Sequence, residues 1–417
     1  MTTTPGAPAT RAEALRRPNV RRYLVGQATS FIGTFAQGFA QVLLVLDLTD
    51  DKRAVPLVIA LQTLPLLLFG SWAGGLADRL DNRKVLLATS AGAAVLAVAL
   101  GLVASAGRAS VAVVTGFALA LGVVAVFERP ASQAILSELA SPDEIAGVVS
   151  LNAMIPPIAR LAGPPLAGLL TALGGFALAF YANALSYLVL AYALLRIKRA
   201  DMFERRKTTQ RKGVVKAGLA YARHDPVVGP VLLLMFIVGF AAFNFSTALP
   251  LMSKYTFGLK PADSHDAGLI ALVQTVSAVG SLFAGVVIGW FAKPTLVTQA
   301  IWSVVFGVAL VGMGLAPTYW WWVVVALPVG VVATGFTTVT TMILQTTARP
   351  EMLGRVMALF SIAFLGTTPL GALIVAWLAS AVNARAPFVA GGVVTALGGL
   401  ALLARARSTA VDAPPPH

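Results

Sequence analysis

The residues of this chain with chemical potential lie at or inside long apolar runs. Asp47, Glu128 and Arg160 are the ionisable ones. A carboxylate so placed can carry a proton between two aqueous faces, with Arg160 as a counter-charge. Gln27, Gln37, Gln41, Gln62, Asn152, Asn244 and Gln274 add amides able to hydrogen-bond a neutral solute. Such groups are costly in hydrocarbon unless they face a cavity, so they mark a candidate substrate path. Gln37, Gln41 and Asn244 come first, because they sit at matching depths of their runs. Phe35, Phe240, Phe243 and Phe245 either line an apolar cavity beside them or serve packing and lipid contact. Thr334, Thr337, Thr338, Thr340 and Thr341 are expected mostly to bond back to their own helix. For Asp47 and Glu128 the alternative is a solvated loop position; a Glu128–Arg160 pair, or transport without protons, are further readings.

Bond-breaking chemistry lacks its parts. The chain has no Cys, and His224, His265 and His417 fall in loops or the tail. There is no metal-ligand cluster and no phosphate-binding Gly-Lys loop. Neither an enzyme nor an ATP-driven pump fits within this chain, and no cofactor or metal is expected.

The elements that must position these side chains are membrane spans. Of 417 residues, 58% are hydrophobic and 12% charged, about half the charged fraction of a soluble domain. Twelve runs approach or exceed the ~20 residues that cross a bilayer: 23–46, 54–77, 85–107, 111–127, 145–173, 176–195, 227–252, 267–292, 294–316, 319–346, 352–381 and 386–403. With the N-terminus inside, 24 of the 31 Lys and Arg collect on the cytoplasmic side and six on the outer side, Arg160 alone lying within a span. Both termini are then cytoplasmic. The net charge of +14 is a topology signal and a contact for an anionic inner leaflet, not a nucleic-acid patch. Residues 1–19 and 406–417 read as disordered cytoplasmic tails. Residues 198–225 form a basic linker whose 213–222 stretch has helical apolar spacing, either a surface helix or a solvated linker. Residues 20–197 and 226–405 form two six-helix bundles.

The halves echo each other. Gly70-Ser71 followed by Gly75 matches Gly280-Ser281 followed by Gly285. Pro142 leads to Pro165-Leu166-Ala167-Gly168 as Pro350 leads to Pro369-Leu370-Gly371-Ala372. The expected fold is an all-α membrane protein of twelve helices in two six-helix pseudo-repeats, with a substrate site at the repeat interface near the midplane.

Between spans 2 and 3 stands Gly75-Leu76-Ala77-Asp78-Arg79-Leu80-Asp81-Asn82-Arg83-Lys84, which resembles the signature loop of the major facilitator superfamily. Ala162-Gly163-Pro164-Pro165-Leu166-Ala167-Gly168 resembles the helix 5 motif associated with its exporters. Phe127-Glu128-Arg129-Pro130-Ala131-Ser132-Gln133-Ala134 and the 345–356 segment resemble the branch of bacterial macrolide and enterobactin exporters. Ser132 stands where that branch has Arg, and Ile288-Gly289-Trp290 replaces the charged loop in the second half.

Physically, Asp78 at the end of span 2 suits the N-terminus of span 11, whose free N–H groups favour a carboxylate. Arg79, Arg83 and Arg355 can add charge-assisted bonds. Asp78→Asn is then expected to bias the protein toward inward-facing states, and the resemblance implies the same gating role. For the basic residues, setting topology is the alternative. Gly163 and Pro164 form either a rigid gating kink or simple packing. The expected function is secondary-active export of an amphipathic drug or siderophore with proton antiport. Alternatives are a lysophospholipid flippase, an uncoupled facilitator, or a non-transporting receptor. The expected setting is a monomer in the bacterial cytoplasmic membrane, partnered by a small-molecule substrate and the bilayer.

Overall fold

The structure is a computed structural model that describes residues 15–77, 80–141, 143–203, 214–291 and 294–411. All its regular elements are helical. They are α1 (Pro18–Leu48), α2 (Ala54–Ala77), α3 (Asn82–Ser105), α4 (Val111–Leu139), α5 (Ile145–Leu195), α6 (Val214–His224), α7 (Val228–Ala241) and α8 (Phe245–Phe257). Then follow α9 (Ser264–Phe291), α10 (Leu296–Gly314), α11 (Tyr319–Thr347), α12 (Leu353–Leu365), α13 (Thr368–Ala381) and α14 (Ala386–Val411).

Ten segments among the described residues are long and apolar enough to cross a membrane. One of them, α5, holds two spans: Gly174 (φ −159°, ψ 25°) and Gly175 (φ 69°, ψ −176°) leave the helical region inside it. That break falls between the predicted ends at 173 and 176, and the left-handed φ of Gly175 needs a residue without Cβ. Adding α2, whose apolar helix Ala54–Gly70 is shorter, brings the spans to twelve. Two predicted continuous spans are divided instead. Span 7 becomes α7 and α8, because Asn244 leaves the helix (φ −107°, ψ 37°) and its Nδ2 donates back to the Phe240 carbonyl at 3.1 Å. Span 11 becomes α12 and α13 around Gly366; Pro369, in the first turn of α13, has no N–H, and in a continuous helix its ring would crowd the carbonyl of Leu365. Side chains close several starts: Ser110, Thr295 and Thr318 accept from the N–H groups three residues on.

Two compact units result. The first comprises residues 1–49, 61–210 and 261–271, the second 50–60, 211–260 and 272–417. In the first, the second limb of α5 lies against α1 and α3. Gly26 and Gly33 admit Leu190, Ala193, Asn183 and Ser186, and Gly101 admits the Tyr181 ring. In the second, α14 lies against α7 and α10, with Gly391 at Ala241 and Gly307 at Gly392 and Ala396. Each unit thus packs its last span on its first and third. Small residues permit this backbone approach where hydrocarbon offers no hydrophobic drive.

The glycines of the sequence echo differ in what they do. Gly280 and Gly330 form a reciprocal crossing of α9 and α11, each against a backbone carbonyl of the other helix. Gly70 has only the Leu66 side chain, 3.5 Å from where a Cβ would stand. Gly330→Val is therefore expected to destabilise the detergent-solubilised protein by about 1–3 kcal/mol through overpacking. Gly70→Ala should be neutral, or stabilising by up to about 1 kcal/mol; thermal unfolding of the two variants side by side is the check.

Candidate functional site

Polar residues of α1 recur at helical spacing, and their partners lie on other helices. The Tyr23 hydroxyl bonds the Ser132 hydroxyl at 2.8 Å and donates to its carbonyl at 3.1 Å. Gln27 Nε2 donates to the same Ser132 hydroxyl at 3.2 Å. Thr34 donates to the Tyr187 hydroxyl at 3.0 Å. Asn183 Nδ2 donates to Gln37 Oε1 at 2.7 Å, while Ser186 donates to Asn183 Oδ1 at 2.8 Å. Gln37 is thus held in a structural bond, leaving Oε1 of Gln27 and Oε1 of Gln41 as buried acceptors without a partner. Asn183, Ser132 and Tyr187 complete this column and were not among the expected site residues. Asn183 carried the same signal as Asn152, an amide inside an apolar run.

The charged candidates stay apart. Glu128, on α4 one turn before Ser132, is half-buried, within electrostatic reach of the Tyr23 and Tyr187 hydroxyls. Arg160 is exposed on the first limb of α5. Among the described residues neither makes an ion pair or hydrogen bond, so the Glu128–Arg160 pair does not form. Asp47 is exposed at the end of α1. Gln62, Asn152 and Gln274 are half-buried, and their side chains hold no hydrogen bond among the described residues.

Asp78 and Arg79 lie outside the described residues, and α2 remains helical past Gly75 to Ala77. Arg83 does something the sequence did not suggest. It donates from Nε to the Leu194 carbonyl at 2.7 Å and from Nη2 to the Leu195 carbonyl at 2.9 Å, closing the C-terminus of α5. Around it Asn82 donates to Glu138, Arg199 pairs with Asp81 at 2.8 Å, and Asn19 exchanges bonds with the Lys198 backbone. Arg17 pairs with Glu144 at 2.5 Å and covers the Phe203 ring at 5.0 Å. Burial alone raises the Glu144 carboxyl, but Arg17 and the Ser141 hydroxyl and N–H outweigh it and hold it below its ordinary value of 4.5. At the middle of the first limb of α5, Gly163 abuts the Phe35 backbone and Pro164 is buried.

In the second unit Asn244 sits in the α7–α8 break beside Gly371 of α13, its Oδ1 buried without a partner. Phe243, from the same break, is a packing centre rather than a cavity wall: its ring meets Phe306 at 5.3 Å and Phe364 at 5.2 Å. Phe240 stacks on Phe236 at 6.4 Å. Arg355 donates to the Met352 sulfur at 2.9 Å and lies against Gly218 of α6. Thr337, Thr340 and Thr341 bond carbonyls of their own helix, as expected, and Thr340 also accepts from Gln299 at 2.6 Å. The first unit thus holds buried amide acceptors on α1 and a half-buried carboxylic acid on α4, on which the neighbouring Arg129 charge acts.

Residues 10–414 match the family described as transmembrane secretion effector. The staphyloferrin A transporter of Staphylococcus aureus is 26% identical over 271 residues, covering 64% of this chain and 66% of that protein. Macrolide efflux protein A of Streptococcus pyogenes is 22% identical over 375 residues, 88% of this chain and 91% of that one. Among solved structures, a bacterial homologue of the human lysosomal transporter Spinster superposes with a TM-score of 0.72 at 16% identity, covering 99% of this chain and 100% of that one. The nucleoside transporter NupG does so at 0.68 and 12%, covering 93% and 98%. These structures share the fold.

Asn183→Leu leaves the Gln37 carbonyl oxygen buried without its donor and should cost about 1–3 kcal/mol in thermal unfolding. Glu144→Gln should cost about 0.5 kcal/mol at pH 7. Because the folded carboxyl titrates below its ordinary value, that difference from wild type persists above pH 4.5 and disappears as the pH falls further. Melting curves of both proteins across pH 3–7 read this out.

Proposed function

The chain belongs to the transmembrane secretion effector family of the major facilitator superfamily and is a membrane transporter, and from that premise we propose that it exports amphipathic small molecules in exchange for protons. The names of its relatives, a macrolide efflux protein and a staphyloferrin A transporter, support a small-molecule substrate of the drug or siderophore class. The observation that carries proton exchange is Glu128: a carboxylic acid inside a span, with no ion pair or hydrogen bond among the described residues.

In this reading residues 20–197 and 226–405 are the two moving halves, residues 198–225 link them, and both termini face the cytoplasm of a bacterial inner membrane. The protein works as a monomer. In the inward-open state the Glu128 carboxylate and the spare acceptors of Gln27 and Gln41, all in the first unit, hold a neutral or weakly cationic amphipath. After the switch to the outward-open state, a proton from outside neutralises Glu128 and the substrate leaves. Return of the neutral acid and loss of its proton to the cytoplasm complete the cycle. Asp47 is the second candidate for the proton. Asp78, Arg79, Arg83 and Arg355, with Gly75, Gly163 and Pro164, form the cytoplasmic gate.

Inside-out vesicles made with the purified protein, acidified within and loaded with a quenched pH dye, test this. Adding macrolides, cationic dyes, siderophores or lysolipids should release protons for one class. Glu128→Gln should reduce that leak to background and Asp47→Asn should leave it. A leak that survives in Glu128→Gln moves the coupling elsewhere; substrate flux without any leak makes the protein an uncoupled facilitator.

A further inference from the structure

The ion pairs of this protein differ in what they join. Arg17–Glu144 and Arg199–Asp81 stay inside the first unit. Asp50 and Lys254 come from opposite halves of the chain, yet Lys254 Nζ stands 2.7 Å from Asp50 Oδ1. Asp50 lies in the loop between α1 and α2, and Lys254 in the last turn of α8. With the N-terminus inside, both are on the outer side.

The two partners are held differently. The end of α8 is fixed to its own half, since the Phe257 ring meets Trp322 at 5.1 Å and Tyr319 at 5.9 Å, both at the start of α11. Lys254 is largely covered, with 17% of its side chain exposed, and its ammonium stands 5.3 Å from the centre of the Tyr255 ring. Lys52 approaches the same ring at 5.4 Å, so the loop meets α8 a second time. Asp51 closes the start of α2 instead: its Oδ1 accepts from the Arg53 N–H at 2.9 Å and its carbonyl from the Ala54 N–H at 3.1 Å. Just behind the loop, Val55 and Val58 are buried. Asp50 itself is 92% exposed.

This contact belongs to a wider exchange. Residues 50–60, from the first half of the chain, group with the second unit, and residues 261–271, from the second half, group with the first. There Gly168 of α5 has the Ala271 methyl 3.4 Å and the Gly268 Cα 3.7 Å from where a Cβ would stand. Both exchanged segments begin in an outer loop.

We propose that the Asp50–Lys254 pair is the latch of the outer face: it holds the start of α2 on the end of α8 and parts whenever that face opens. The assignment rests on the two moving halves of the export reading and on the outer placement of these loops, but not on the substrate or the proton. Opening the halves at their outer ends requires both exchanged segments to let go. An exposed ion pair suits a contact that breaks and re-forms in every cycle, because water takes up both charges once they separate. A fully buried pair would leave an uncompensated charge at each opening.

The chain has no native Cys. Arg108→Cys and Pro317→Cys, in outer loops of the two halves, therefore give two unique sites for spin labels. Pulsed electron–electron double resonance on the protein in lipid nanodiscs reads the distribution of their separation. Asp50→Asn and Lys254→Gln should each raise the population at longer separation roughly two- to fivefold, the worth of an exposed pair. Asp50→Glu keeps the charge and should stay near wild type; Asp50→Lys combined with Lys254→Asp should return toward it. Raising NaCl from about 0.05 to about 0.5 M should shift the wild type in the same direction and leave Lys254→Gln where it is. Unchanged separations in both single variants, or an exchange of charges that does not restore, overturn the proposal. No substrate is needed for this measurement. A failure of proton release in the vesicle assay removes the coupling and leaves the latch, whereas unmoved labels remove the latch and leave the export reading.

Discussion

Everything in this protein depends on satisfying polar groups where no water is present. An unpaired backbone or amide group in hydrocarbon costs several kcal/mol, so the chain is helical across the membrane and its side-chain amides seek one another. Close backbone contact makes that possible. Gly33 brings α1 onto the second limb of α5 so that Gln37 meets Asn183, and Gly280 with Gly330 draws α9 and α11 together. Glycine here acts less as a flexible residue than as an absent side chain.

Against that background the exceptions include the groups to which the proposed function is assigned. Oε1 of Gln27, Oε1 of Gln41 and Oδ1 of Asn244 are buried acceptors without donors, and Glu128 is an acid outside any ion pair among the described residues. Other polar groups at this depth are bonded between helices, as Ser303 is to the Thr395 carbonyl. The helix break at Asn244 belongs with them. It is buried, the Asn244 carbonyl accepts from the Thr247 and Ala248 N–H groups, and its Phe243 ring packs on Phe306 and Phe364.

The ends of the helices obey a different economy, because water and charge are available there. Arg83 closes the carbonyl end of α5, Asp225 closes the N–H end of α7, and Arg17 with Glu144 ties α1 to the start of α5. Residues that look from sequence like topology signals are also caps, which fix each span in depth.

How much of this was legible depends on range. Hydropathy and charge are local, and by themselves they determined the helical membrane class, the approximate spans, the break at Gly174-Gly175 and the self-bonding of the threonines in α11. The echo between the halves and the signature loop pointed to the superfamily for the same reason, since each is a short pattern. Tertiary structure alone decided that Gln37 is bonded to Asn183, 146 residues away, and that Arg83 serves α5 at a distance of 111. It also decided that Glu128 and Arg160 do not pair, that Phe243 is core, and that Asp50 meets Lys254. Hydropathy tells each helix that it must be buried in lipid or protein but not against which neighbour. That choice is made by glycines and side-chain bonds whose partners lie on other spans.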